Sequence, residues 1–133
     1  MTEEKSYQLR KKAHLIMAGA VLTGACHDAA LTAGWWTDEA GNFLEYNTAE
    51  KLMLIVSELG EAMEGHRKGL MDDKLPHRLM IEVELADTVI RIFDLAGRKK
   101  FDLGGAIAEK LEYNAKREDH KRENRAAPGG KKY

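Results

Sequence analysis

Only two prolines, Pro76 and Pro128, interrupt 133 residues, and nowhere do polar and apolar residues alternate over more than a few positions. A β-sheet needs that alternation, so the chain reads as all-helical. Thr2 followed by Glu3 and Glu4 suits a helix start, because a hydroxyl caps free amides and carboxylates favour the positive end. The first helix is predicted to run to about Ala33 and stop at Gly34. The next segment, Gly34 to Asn42, has the glycine and Asx content of a loop yet carries both tryptophans, Trp35 and Trp36. Asn47 with Glu50 three residues on opens a second helix, predicted to reach Lys68 and close at Gly69. Pro76 suits the first turn of a third helix ending at Ala96, with Gly97 as its stop. Asp102 caps a fourth, extending to about Lys121. The expected fold is a four-helix-core bundle, one domain over residues 1–124 with a flexible tail over 125–133.

At 14.9 kDa, with 44% hydrophobic and 32% charged residues, the chain can fill one core. Its 21 basic and 22 acidic residues leave a net charge of −1, so no global field recruits nucleic acid or an anionic membrane. An anionic ligand must be met locally. The single Cys26 can form no intramolecular disulfide and has no zinc-site spacing around it, which fits a reducing compartment. The charge-free run Leu15 to His27 is short for a bilayer and is broken by Gly19 and Gly24, and the charged N-terminus is unlike a secretory signal. No membrane span and a cytoplasmic location are expected.

The chemistry concentrates in four carboxylates. In the second helix Leu52, Ile55, Val56, Leu59 and Met63 form the expected core stripe, while Glu58 and Glu61, three apart, project side by side from a neighbouring face. The third helix is apolar almost all round yet aligns Glu84, Asp87, Arg91 and Asp94 on one stripe, the last two expected to pair structurally. A short connection makes the two helices antiparallel neighbours and can bring all four carboxylates together. Without counter-charge each pair at ~4 Å repels by about 4 kcal/mol at an effective dielectric near 20. A hard divalent cation, Mg²⁺ or Mn²⁺, resolves that, and such ions complete their shell with water and phosphate. The plain alternative is two solvated acidic faces. A di-iron bundle is excluded because no histidine lies three residues after a glutamate.

The string Glu58-Leu59-Gly60-Glu61, then 22 residues, then Glu84-Leu85-Ala86-Asp87 resembles the acidic signature of the MazG-like all-α nucleoside triphosphate pyrophosphohydrolases. So does the downstream Lys110-Leu111-Glu112-Tyr113-Asn114-Ala115-Lys116-Arg117. One departure is Ser57, where many members carry a further glutamate. The resemblance implies Mg²⁺-dependent hydrolysis of a (deoxy)nucleoside triphosphate to the monophosphate and pyrophosphate. It makes Glu58, Glu61, Glu84 and Asp87 the metal ligands, and sets Lys110, Asn114 and Arg117 near phosphates or sugar. His27, nine residues before Trp36, is similar to the element lining the base pocket in related enzymes. The family also implies a homodimer or homotetramer, and the apolar third helix asks for cover beyond one protomer. The residue types suit this chemistry on their own: Glu58 and Glu61 are the catalytic carboxylates, with Glu61, mid-site, as acceptor of the water proton. Lys110 and Arg117, seven apart on one helix face, can hold the leaving pyrophosphate. Rival readings are a non-catalytic helical regulator that binds nucleotide or metal, and a phosphoribosyl-ATP pyrophosphohydrolase, against which the tryptophan-bearing loop argues.

Overall fold

A computed structural model describes all residues, Met1–Tyr133. It is all-helical, with α1 (Glu3–Thr32), α2 (Thr48–Lys68), α3 (Met80–Lys99), α4 (Leu103–Ala115), a 3₁₀ turn (Glu118–His120) and α5 (Arg122–Ala126). There is no strand, only the isolated bridges Thr37↔Phe43 and Met71↔Leu79. The residues gather into two compact units, one formed by 1–21 with 102–133, the other by 22–101.

In the unit of residues 22–101, α2 starts and stops where its caps dictate. Asn47 Oδ1 accepts the amides of Ala49 (2.9 Å) and Glu50 (3.4 Å), satisfying groups that have no partner within the helix. Gly69 ends the helix at φ 60°, a conformation glycine takes without penalty. Leu70 N–H then reaches back to the Gly65 carbonyl at 3.0 Å.

The third helix departs from expectation at both ends. Pro76 lies in the connecting loop, and α3 starts at Met80. The loop has its own fastening: Asp72 is buried, its Oδ2 accepts the amides of Lys74 (2.9 Å) and Leu75 (2.7 Å), and its backbone N–H bonds the Arg78 carbonyl at 2.9 Å. These bonds engage the residues a first turn at Pro76 would have needed. At the far end Gly97 does not stop the helix. A Cβ there would strike the His27 side chain, so the glycine serves close packing, and the helix runs on to Lys99. Lys100 takes the left-handed turn at φ 57°.

The approach of Glu58 to Arg91 and of Gly65 to Met80 makes α2 and α3 antiparallel. Their shared surface buries Ala62 and Gly65 from α2 and Glu84 and Thr88 from α3. Small residues on α2 allow that close approach. The expected α2 core stripe is therefore not the buried face. Leu52, Val56, Leu59 and Met63 are 45–58% exposed, and only Ile55 is half-buried. On α3, Leu85, Val89 and Ile90 are likewise exposed.

In the other unit Gly19 of α1 and Gly104 of α4 are both buried, and a Cβ on either would strike the other's backbone. Asp102 caps α4 by accepting the Gly105 amide at 2.8 Å. The helix ends at Ala115, short of the expected Lys121, because Arg117 turns extended and forks onto Asp119 at 2.9 and 2.6 Å. Lys131 reaches the same carboxylate at 3.0 Å, and the expected tail from Arg125 begins inside α5.

By length and composition α1 can cross a membrane, since an 18-residue window within it reaches a mean hydropathy of 1.4. The expectation that no such helix exists does not hold. The charge-free run ends at Asp28, whereas the helix continues with apolar residues beyond that single charge.

Candidate metal centre and adjoining cavity

Three of the four expected carboxylates converge. Glu58 from the middle of α2, and Glu84 and Asp87 from successive turns of α3, each offer an oxygen within 4.8 Å of the other two. Glu84 is 8% exposed. Burial, then a side-chain hydrogen bond with Glu58, then the charges of Glu61, Glu58 and Asp87 push its pKa up to about 7. Burial, followed by the Glu58 charge, also raises Asp87, with Arg91 opposing. Such a site favours either a proton or a cation. The donor set is all oxygen and anionic, which fits a hard divalent ion such as Mg²⁺ or Mn²⁺ and does not fit a soft one.

Glu61 stands outside this trio. It is exposed, one turn beyond Glu58, and acts on Glu84 through its charge. A carboxylate the spacing did not flag joins from the loop, since the charge of buried Asp72 acts on Asp87. Its signal in the sequence was an Asp pair, Asp72-Asp73, shortly after the Gly69 stop. Arg91 and Asp94 do not pair with one another. Arg91 Nε donates to Glu58 Oε1 at 2.6 Å, and Asp94 turns the other way, toward His27 and Trp36.

Beside the trio lies a cavity of about 640 Å³. Glu58, Asp87, Arg91 and Lys51 are among its charged lining residues, and Cys26, Ala30, Trp35 and Leu95 among its apolar ones. Trp36 also lines it but is only 1% exposed. Its indole N–H donates to Asp94 Oδ1 at 2.7 Å, and its ring meets Tyr46 and His27 edge-on at 5.1 and 6.2 Å. Lys51 Nζ sits 4.4 Å from the ring centroid. Trp36 is thus a fixed wall rather than a free stacking surface, and the neighbouring Trp35, 71% exposed on the same cavity, is the available indole. His27 does not line the cavity. Its Nδ1 bonds Asp94 Oδ1 at 2.9 Å, so it steadies the acceptor that holds Trp36. Arg98 closes this cluster from behind, 4.2 Å from the Phe43 ring centroid and 5.3 Å from that of Tyr46, with its Nε buried and unpaired.

Lys110, Asn114 and Arg117 belong to the other compact unit. There Lys110 lies over the Tyr113 ring at 4.8 Å, Asn114 Oδ1 is buried without a hydrogen-bond partner, and the Arg117 guanidinium is taken by Asp119.

Comparison of the chain with protein-family models, with curated proteins and with solved structures yields no match.

Proposed function

We propose that the chain is a Mg²⁺-dependent nucleoside triphosphate pyrophosphohydrolase with a MazG-like four-helix core, releasing pyrophosphate and a nucleoside monophosphate. The observation that carries this reading is the Glu58–Glu84–Asp87 cluster, whose oxygens lie within 4.8 Å of one another, two of the three residues lining a cavity whose wall also holds cationic and apolar side chains. A nucleotide brings both an anionic phosphate chain and an apolar base to such a lining. Glu58 and Asp87 line the cavity, and Glu84, which does not, is poised between holding a proton, up to a pKa of about 7, and holding a cation. A divalent ion bound there would neutralise the triphosphate, polarise the α-phosphoryl group and lower the pKa of an attacking water. Exposed Glu61, next to Glu84, is the acceptor for that water's proton. Trp35 and the apolar wall receive the base. No P-loop motif is present to favour cleavage at the γ-phosphate.

The exposed stripe of Leu52, Val56, Leu59 and Met63, with Leu85 and Val89 on α3, supports a homodimer or homotetramer in which a second protomer covers it. A cytoplasmic location follows from the nucleotide substrate. Incubation with Mg²⁺ and each canonical and damaged deoxynucleoside triphosphate, with the products resolved chromatographically, tests the reading. Monophosphate and pyrophosphate in equal amounts are expected. Metal-dependent nucleotide binding without product would make the chain a non-catalytic regulator instead.

A further inference from the structure

We infer that Arg91 has two partners in turn: it is the counter-ion of Glu58 while the carboxylates hold no cation, and it binds the phosphate chain once they do. The inference rests on the proposed hydrolase reading and deepens it. Arg91 Nε is 2.6 Å from Glu58 Oε1, so the guanidinium is bonded to a carboxylate of the trio that a cation would need. That bond uses one of the five guanidinium N–H donors, and no other hydrogen bond or ion pair is made by this side chain. The Arg91 side chain is 43% exposed against 13% for Glu58, and both residues line the cavity. The terminal nitrogens are therefore accessible beside the carboxylates. A guanidinium offers a phosphate two parallel hydrogen bonds, an arrangement Lys51, the other cation of the cavity wall, lacks. Arg117, expected from the sequence to play this part, already spends its fork on Asp119. A cation and Arg91 compete for Glu58, whereas a cation-bound phosphate chain and Arg91 attract each other. Removing the guanidinium must then shift the two affinities in opposite directions.

The test measures Mn²⁺ binding to the nucleotide-free protein by the loss of the free-ion electron paramagnetic resonance signal. Alongside it, binding of the α,β-methylene analogues of the four canonical deoxynucleoside triphosphates is measured by calorimetry in saturating Mn²⁺. Arg91→Gln should bind Mn²⁺ roughly two- to fivefold more tightly, the worth of a partly exposed ion pair lost as competitor. It should bind the preferred analogue at least about tenfold more weakly, the worth of a charge-assisted bond. Arg91→Lys, which keeps the charge without the fork, should fall between Arg91→Gln and the parent in analogue affinity, and it serves alone if Arg91→Gln does not fold. Both affinities falling, or neither moving, overturns the inference and leaves Arg91 a structural ion pair. A parent protein that binds neither Mn²⁺ nor any analogue overturns the hydrolase reading itself, and the inference with it.

Discussion

Replacing Glu84 by Gln should stabilise the protein freed of divalent ions, and by an amount that depends on pH. In the fold the Glu84 carboxyl is raised from the ordinary glutamate value of 4.5 to about 7. The sign follows from linkage: the native state holds this proton more tightly than the unfolded chain, so stability falls as pH rises from 4.5 to about 7 and the full cost remains above that. At 1.36 kcal/mol per pK unit, that cost is about 3 kcal/mol at pH 8 and under about 1 kcal/mol at pH 5. Glutamine carries no charge at either pH, and its amide can still donate to Glu58 as the protonated carboxyl does. For a chain of this length each kcal/mol moves the melting temperature by roughly 3–4 °C. In chelator, Glu84→Gln should melt about 10 °C above the parent at pH 8 and no more than about 3 °C above it at pH 5. Saturating Mg²⁺ should raise the parent more than the variant, since a ligand bound only by the folded state stabilises it in proportion to affinity. Calorimetric melts at the two pH values, with chelator and with Mg²⁺, measure all of this. A variant melting no higher than the parent at pH 8 in chelator, or gaining equally at both pH values, refutes the reasoning.

Glu61→Gln should lower kcat/KM by about 10²-fold, some 2.7 kcal/mol of transition-state stabilisation, while Mn²⁺ binding changes little because Glu61 stands outside the trio; steady-state kinetics and a Mn²⁺ titration check both. Trp35→Ala should raise KM and blur discrimination among bases more than Trp36→Phe does, as a substrate panel would show. Trp36→Phe should instead cost about 1–3 kcal/mol of stability in a denaturant melt, since Asp94 loses its indole donor. Leu59→Lys, at the centre of the exposed α2 stripe, should shift sedimentation equilibrium toward monomer without changing the helical circular dichroism signal.

What could be read from the sequence divides by the range of the forces involved. The ends of α2 were legible because Asn47 and Gly69 act on backbone groups within a few residues of themselves. Pro76 and Gly97 misled because their roles are set at a distance, one by the bonds of Asp72 across its loop, the other by the His27 ring against the helix. The pairing of Glu58 with Glu84 and Asp87 was legible from helical spacing and a short connection. The place of Glu61 outside the trio was not, because that depends on which face of α2 meets α3. Ala62 and Gly65 decided that face, and a reading that seeks the largest apolar stripe looks past small residues. The same misjudgement placed Leu52, Val56, Leu59 and Met63 in a core, when hydrophobicity alone does not say whether a stripe is covered by its own chain or by another. Asp94 was visible as a charge, but its bonds to His27 and Trp36 join parts of the sequence too far apart for periodicity to link.

The central claim is that Glu58, Glu84 and Asp87 hold a cation against the α-phosphoryl group of a nucleoside triphosphate. It is tested most directly by one reaction run in ¹⁸O-labelled water with Mg²⁺ and the four canonical deoxynucleoside triphosphates, its products weighed by mass spectrometry. The predicted result is ¹⁸O in a nucleoside monophosphate beside unlabelled pyrophosphate, lost when Glu84 is replaced by Gln. Orthophosphate with a nucleoside diphosphate, or turnover that survives the Glu84 replacement undiminished, would contradict it.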